Sequence, residues 1–229
     1  MVYNSINVII MGKYMGEKKN KVFNLIIKIF WIFIIGSVFG FFAEMIYALV
    51  YTRTLEIRKG LIYGPFIQIY GIGAIAYYIL TSKINEPKKL FFGGMIMGGS
   101  LEYLCSFLQE IFFGTISWDY SNMFMNLNGR TSFLYCFYWG IIAIAFLKLV
   151  YPVLNKLDKI INKKKFKVCT YFFILFMTFD ITISCMAADR QLRRHQNLPP
   201  KGKIDEFLDS TYSDEVLDRV YNNKKEVFD

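Results

Sequence analysis

IFWIFIIGSVFGFFAEMIYALV, residues 29–50, is a run of 22 residues carrying one charge, Glu44. As a helix it would be about 33 Å long, enough to cross the roughly 30 Å hydrocarbon core of a bilayer. Inside lipid every backbone polar group must find a partner within the segment, and for a run of this length that means helix. Comparable runs follow, and they predict spans at 24–50, 61–80, 90–113, 131–153 and 168–188. The 229 residues are 55% hydrophobic and 18% aromatic. The mean hydropathy is +0.34. A soluble core built from such runs would leave very large exposed apolar patches. The sequence therefore reads as all-α: a polytopic transmembrane helix bundle of about five spans over residues 1–188, then a polar tail over 189–229.

The net charge of +9 does not point to nucleic acid, because the bases flank the apolar runs. Lys18, Lys19 and Lys21 precede the first, and Lys163, Lys164, Lys165 and Lys167 precede the last, as topology and lipid-headgroup signals do. With five spans, 13 lysines and arginines fall on the side of the N-terminus and nine on the other, which leans toward a cytoplasmic N-terminus. Cys105, Cys136, Cys169 and Cys185 lie in apolar runs without C-x-x-C spacing, and His195 is the single histidine. No metal site, cofactor or catalytic triad is expected from that inventory. The first run is too long for a signal-peptide core and is expected to stay as a helix.

Glycine and carboxylate positions suggest a duplication. Gly36-x-x-x-Gly40-x-x-x-Glu44 in the first span is matched by Gly94-x-x-x-Gly98-x-x-x-Glu102 in the third, and the following spans share IYGIGAIA (69–76) and YWGIIAIA (138–145). Either a two-helix hairpin is duplicated, as in many transport proteins, or small residues coincide by chance. The two glycine stripes are expected to face each other.

Glu44, Glu102 and Asp180 lie inside spans, where a charge costs roughly 2.5–3.5 kcal/mol, so they should face the bundle interior. Each is either part of a substrate, proton or cation path or a structural hydrogen-bonding group. Tyr47, Ser106, Asp119 and Arg130 join them as pathway candidates. Lys59, Arg130, Lys148 and Arg190 are the expected cationic partners. Two loops stand out. In the first, Gly60, Gly64, Pro65, Tyr70 and Gly71 punctuate the start of the second span, where Gly-Pro breaks helix. That backbone is either packed at depth or an ordinary turn. The second holds Trp118 and Asp119, then the turn pair Asn128-Gly129 before Arg130. In the tail, Ile204, Phe207 and Leu208, then Val216, Leu217 and Val220, recur at helical spacing, with Thr211 and Asp214 as a capping box for the second helix.

Glu44 after Gly-Phe-Phe-Ala, KGLIYGP and IYG (59–71), LEY (101–103), WDYS (118–121), NLNGR (126–130) and the ADR…LPP…IDEFLD tail occur in one order. That set resembles the CmpB-like ABC-transporter type IV permease family of bacterial integral membrane proteins. Gln68, Phe42 and Ser213 depart from it, standing where the family has proline, tryptophan and proline. The resemblance implies a multi-pass protein of the bacterial plasma membrane and a permease-like transporter component. The sequence holds no G-x-x-x-x-G-K-[ST] phosphate loop, so ATP-driven transport would need a separate ATPase subunit. Five spans are few for a permease, so a homo-oligomer is expected. The alternatives are a non-catalytic partner or scaffold for another membrane protein and, less favoured, an intramembrane lipid-modifying enzyme using Glu102 or Asp119 as acid or base.

Overall fold

The computed structural model describes residues 2–227, with side chains from Asn20 onward except those of Tyr51 and Glu226. Helix α1 (Val2–Thr52) leads by way of a coil to α2 (Gln68–Lys83), and a three-residue turn then opens α3 (Pro87–Phe113). Strands β1 (Thr115–Ile116), β2 (Asn126–Leu127) and β3 (Thr131–Ser132) precede α4 (Phe133–Ala145), which runs through a π turn into α5 (Tyr151–Leu154). The long α6 (Lys164–His195) is followed by α7 (Lys203–Thr211), α8 (Asp214–Val220) and β4 (Lys225–Glu226).

Four stretches are long and apolar enough to cross a membrane among the described residues: Asn20–Val50, Pro87–Phe113, Phe133–Lys159 and Lys164–His195. They match four of the five predicted spans. The second differs. Its helix begins at Gln68 rather than at 61 and has 16 residues, about 24 Å. The cause is local: Gly64 takes a left-handed φ of 73°, and Pro65 cannot donate to a helical ladder. Pro152 acts in the same way in the fourth span, where it lacks the N–H that would reach back to Lys148, and the preceding turn widens to π geometry over Phe146–Val150.

The hairpins α1–α2 and α3–α4 are antiparallel pairs that repeat one set of contacts. A methyl group on Gly36 would strike the Ala74 Cβ and the Tyr70 carbonyl; one on Gly94 would strike the Ala143 Cβ and approach the Trp139 carbonyl. Gly40 is covered by the Tyr70 ring and Gly98 by the Trp139 ring. Tyr70, Gly71 and Ala74 therefore correspond to Trp139, Gly140 and Ala143, as the IYGIGAIA and YWGIIAIA alignment predicts. The expectation that the two stripes face each other is corrected. Each faces the next helix of its own hairpin, because its glycines give the close approach that the aromatic ring and the partner glycine fill.

α6 packs alongside. Trp31 Nε1 donates to Thr170 Oγ1 at 2.8 Å, and the Trp31 ring lies against Phe166 and Phe173. Lys28 donates to Asp158 at 2.8 Å and to Asn155 at 3.1 Å, tying the start of the α1 span to the end of the α4–α5 unit. One end of the bundle thus gathers residues near 21–31, 78–90 and 151–170. The opposite end gathers both long loops and the tail.

The tail folds back on the end of α6. Arg190 binds Asp209, Arg193 binds Asp189 and Asp205, and Arg194 binds Asp209 and Asp214. Beneath these pairs Ile62, Ala187, Leu208, Tyr212 and Leu217 form a small core. This pairing lets α6 run on to His195, seven residues beyond the predicted end of the span at 188. The expected capping box at Thr211 does not form: Ser213 is the N-cap residue of α8, without a side-chain cap bond, and Asp214 is engaged by Arg194. The last strand, β4, pairs with β1.

Candidate functional site

The two repeat-related glutamates sit at the loop end of their hairpins, in different company. Glu44 accepts a hydrogen bond from the Tyr70 hydroxyl at 2.6 Å and pairs with Arg58 at 3.3 Å. Glu102, only 4% exposed, accepts from Thr131 Oγ1 at 2.7 Å and from the Tyr120 hydroxyl at 3.0 Å. Among the described residues no cationic side chain forms an ion pair with Glu102. Arg58 is engaged with Glu44 and Glu56, and Arg130 with Glu110 at 2.6 Å. A carboxyl buried between helices with only neutral donors is a group that protons or cations can address. The Tyr120 and Tyr135 rings stack with centroids 4.1 Å apart. Burial, then the Glu102 carboxylate, pushes the Tyr120 hydroxyl well above its usual range, which keeps it a donor.

Asp180 is fully buried, and its Oδ1 accepts from the Tyr63 backbone N–H at 3.1 Å and from Ser184 Oγ at 3.3 Å. Ser184 Oγ in turn accepts from the Ile62 N–H at 3.0 Å. Asp180 Oδ2 has no hydrogen-bond partner. Asp180 is 13 residues from Lys167 and nine from Asp189, about 20 and 14 Å along the helix, which puts it near the middle of α6. The coil 60–67 therefore dips into the bundle, with Leu61, Ile62 and Phe66 buried. Further bonds hold the coil: Gly60 N–H donates to Phe66 O at 2.9 Å, Ile67 N–H to Ser37 O at 3.1 Å, and Gln68 Nε2 to Gly60 O at 2.9 Å. The KGLIYGP backbone is thus packed against α1 and α6, through Ser37 on one side and Asp180 and Ser184 on the other.

The second loop is locked by side chains. Arg130, besides Glu110, reaches Ser106 at 3.4 Å and lies over the Tyr103 and Phe107 rings. Trp118 Nε1 donates to the Arg130 carbonyl at 2.9 Å. Asn128 and Gly129 have φ of 51° and 68°, the two positive values that a type I′ turn requires, and they close the β2–β3 hairpin. Asp119 is exposed and caps its own turn, accepting from the Ser121 N–H at 2.9 Å and from its hydroxyl. Those bonds hold its carboxyl below the usual range, so it stays ionised and is poorly suited as a general acid.

The predicted partners are corrected. Lys59, Arg130, Lys148 and Arg190 do not form ion pairs with Glu44, Glu102 or Asp180. Arg130 and Arg190 pair with Glu110 and Asp209, and Lys148, in the π turn after α4, is exposed. Arg58 was overlooked because the coil folds back 14 residues to reach Glu44. Lys28 was overlooked because it reads as the edge of an apolar run. Glu44 and Tyr70 come together at the loop end of the first hairpin and Glu102 with Tyr120 and Thr131 at that of the second, whereas Asp180 serves the coil 60–67 and Asp119 its own turn.

A family model described as "Putative ABC-transporter type IV" matches residues 31–185, more than half of the chain. That stretch covers both hairpins and the α6 helix through Asp180 and Ser184. No curated protein and no solved structure matches the chain.

Proposed function

The chain belongs to that family, and from this premise we propose that it is the permease-like membrane component of a transporter driven by a separate ATPase subunit. The observation that carries the reading is the broken backbone at 60–67, buried between α1 and α6 on Ser37, Asp180 and Ser184 where the first of two repeated hairpins turns. Transport folds built from repeats use irregular backbone near their sites because it can change partners without unfolding a helix. Glu102 is the group through which a substrate or coupling ion would act, and Glu44 with Tyr70 is its counterpart in the first repeat. The protein works in the bacterial plasma membrane, as a homo-oligomer. Complementation of a deletion strain tests the residue assignment. Glu102→Gln should fail to restore the deletion phenotype although the protein accumulates normally; full rescue by both Glu102→Gln and Glu44→Gln would remove the pathway role.

One observation favours the second reading, a scaffold for another membrane protein. The ion-paired tail presents Ile204 (62% exposed) and Phe207 (52%) outward on α7. Under that reading Ile204→Ser with Phe207→Ser abolishes partner binding, while Glu102→Gln leaves it intact.

A further inference from the structure

At the end of the bundle opposite the glutamates lies a cleft of about 330 Å³, lined by Lys21, Asn24, Leu25, Lys28, Tyr78 and Asp158. It belongs neither to the loops nor to the polar zone described above. Lys28 is 16 residues before Glu44, about 24 Å along the helix, so the cleft lies toward the far end of the first apolar span, Asn20–Val50. The Lys28 side chain is 5% exposed, while that of its partner Asp158 is 60% exposed. The Lys28 ammonium donates to Asp158 and Asn155 and lies over the Tyr78 ring, 4.9 Å from its centroid, so its donors are spent inside the protein. The Asp158 carboxylate keeps acceptor capacity open to solvent. The cleft thus offers the exposed Lys21 ammonium on one side and an accessible carboxylate on the other. Val22 (53% exposed), Leu25 (50%) and Ile26 (57%) on α1 and Ile79 (42%) on α2 supply apolar surface around its rim.

We propose that this cleft binds the head group of a zwitterionic aminophospholipid, its phosphate on Lys21 and its primary ammonium on the open side of the Asp158 carboxylate. A purely anionic head group would gain Lys21 but bring no cation to the open side of that carboxylate. A trimethylammonium head group carries the charge but has no N–H to donate to Asp158. The apolar rim favours a lipid over a free phosphate ester, because acyl chains can lie on it while the head group stays at the boundary. The Lys28–Asp158 pair then has a second role: it ties α1 to the turn after α5 and holds the carboxylate in place at the cleft.

The test is native mass spectrometry of the full chain, exchanged from mild detergent into mixed vesicles with equal phosphatidylethanolamine, phosphatidylcholine and phosphatidylglycerol. The wild type should retain one phosphatidylethanolamine per chain, in roughly fivefold preference over the other two, the size expected of one part-exposed ion pair. Asp158→Asn should lose the preference yet still retain phospholipid, and Asp158→Glu should restore it. Lys21→Gln, on the exposed rim and outside the Lys28–Asp158 pair, should lower retention of all three lipids and keeps the test available if Asp158→Asn does not fold. Equal retention of the three head groups by the wild type would overturn the proposal. So would a preference unchanged in Asp158→Asn, or displacement of the retained lipid by inorganic phosphate.

Discussion

Gly40 and Gly98 are each covered by an aromatic ring, Tyr70 in one hairpin and Trp139 in the other, so neither site has room for a methyl group. Gly73 lies in the same kind of helix with nothing within 4 Å of its missing side chain. Alanine normally stabilises a helix interior relative to glycine, and overpacking normally costs about 1–3 kcal/mol. Gly40→Ala and Gly98→Ala should therefore lower the thermal unfolding temperature in detergent, while Gly73→Ala leaves it unchanged or raises it. Equal effects at all three sites would contradict the repeated ring-on-glycine packing. Glu102 carries a different prediction. Thr131 and Tyr120 donate to different oxygens of the carboxylate; in a glutamine one of them keeps the oxygen and the other hydroxyl can turn to accept from the amide NH2. Glu102→Gln should thus unfold within about 1 kcal/mol of the wild type, the scale of one neutral hydrogen bond, and lose function without losing the fold. Unfolding by several kcal/mol more easily would make Glu102 a structural residue.

The coil 60–67 is the element on which the account depends most. Asp180→Ala removes the acceptor of the Tyr63 N–H and should cost about 1–3 kcal/mol locally. Trypsin cleavage after Lys59 should then speed up several-fold, whereas Asp180→Asn, which keeps an acceptor oxygen, should stay close to the wild type. Much of this element was legible in sequence, because Gly64-Pro65 must break a helix wherever it falls. Its depth was not legible. Depth is decided by Asp180 and Ser184, more than 100 residues away, and a polar group inside a span does not reveal whether its partner is a cation, a backbone amide or a substrate. The four long spans and the hairpin repeat could be read because apolar run length and Gly-x-x-x-Gly spacing are local properties. The facing of the stripes could not, since a small-residue face fits any close neighbour and only the Tyr70 and Trp139 rings select α2 and α4. Arg58 escaped notice for a related reason: its pairing with Glu44 exists only once the coil folds back.

At the scale of the whole molecule, the tail joins the two repeats at the loop end. α7 and α8 cover Ile62 of the first loop, and the Tyr212 hydroxyl meets that of Tyr63 at 2.8 Å, while β4 pairs with β1 just after α3. The attachment is ionic. Arg193 holds the Asp205 carboxyl well below its usual range, and Arg190 and Arg194 lower that of Asp209. A carboxyl depressed in the folded state stabilises docking above its unfolded pKa, about 3.9, and that contribution is lost as the pH falls through the lower folded value. Hydrogen exchange in α7 and α8 should therefore accelerate below about pH 4 while α3 and α6 stay protected. Exchange in α7 that does not change between pH 7 and pH 2 would mean that apolar packing alone holds the tail. The central claim, that the chain is the membrane part of an ATPase-driven transporter, is met most directly by purification from native membranes in mild detergent, with mass spectrometry of the proteins that stay bound. The account predicts an ATPase present in fixed stoichiometry with this chain; recovery of the chain with no ATPase in any fraction would contradict it.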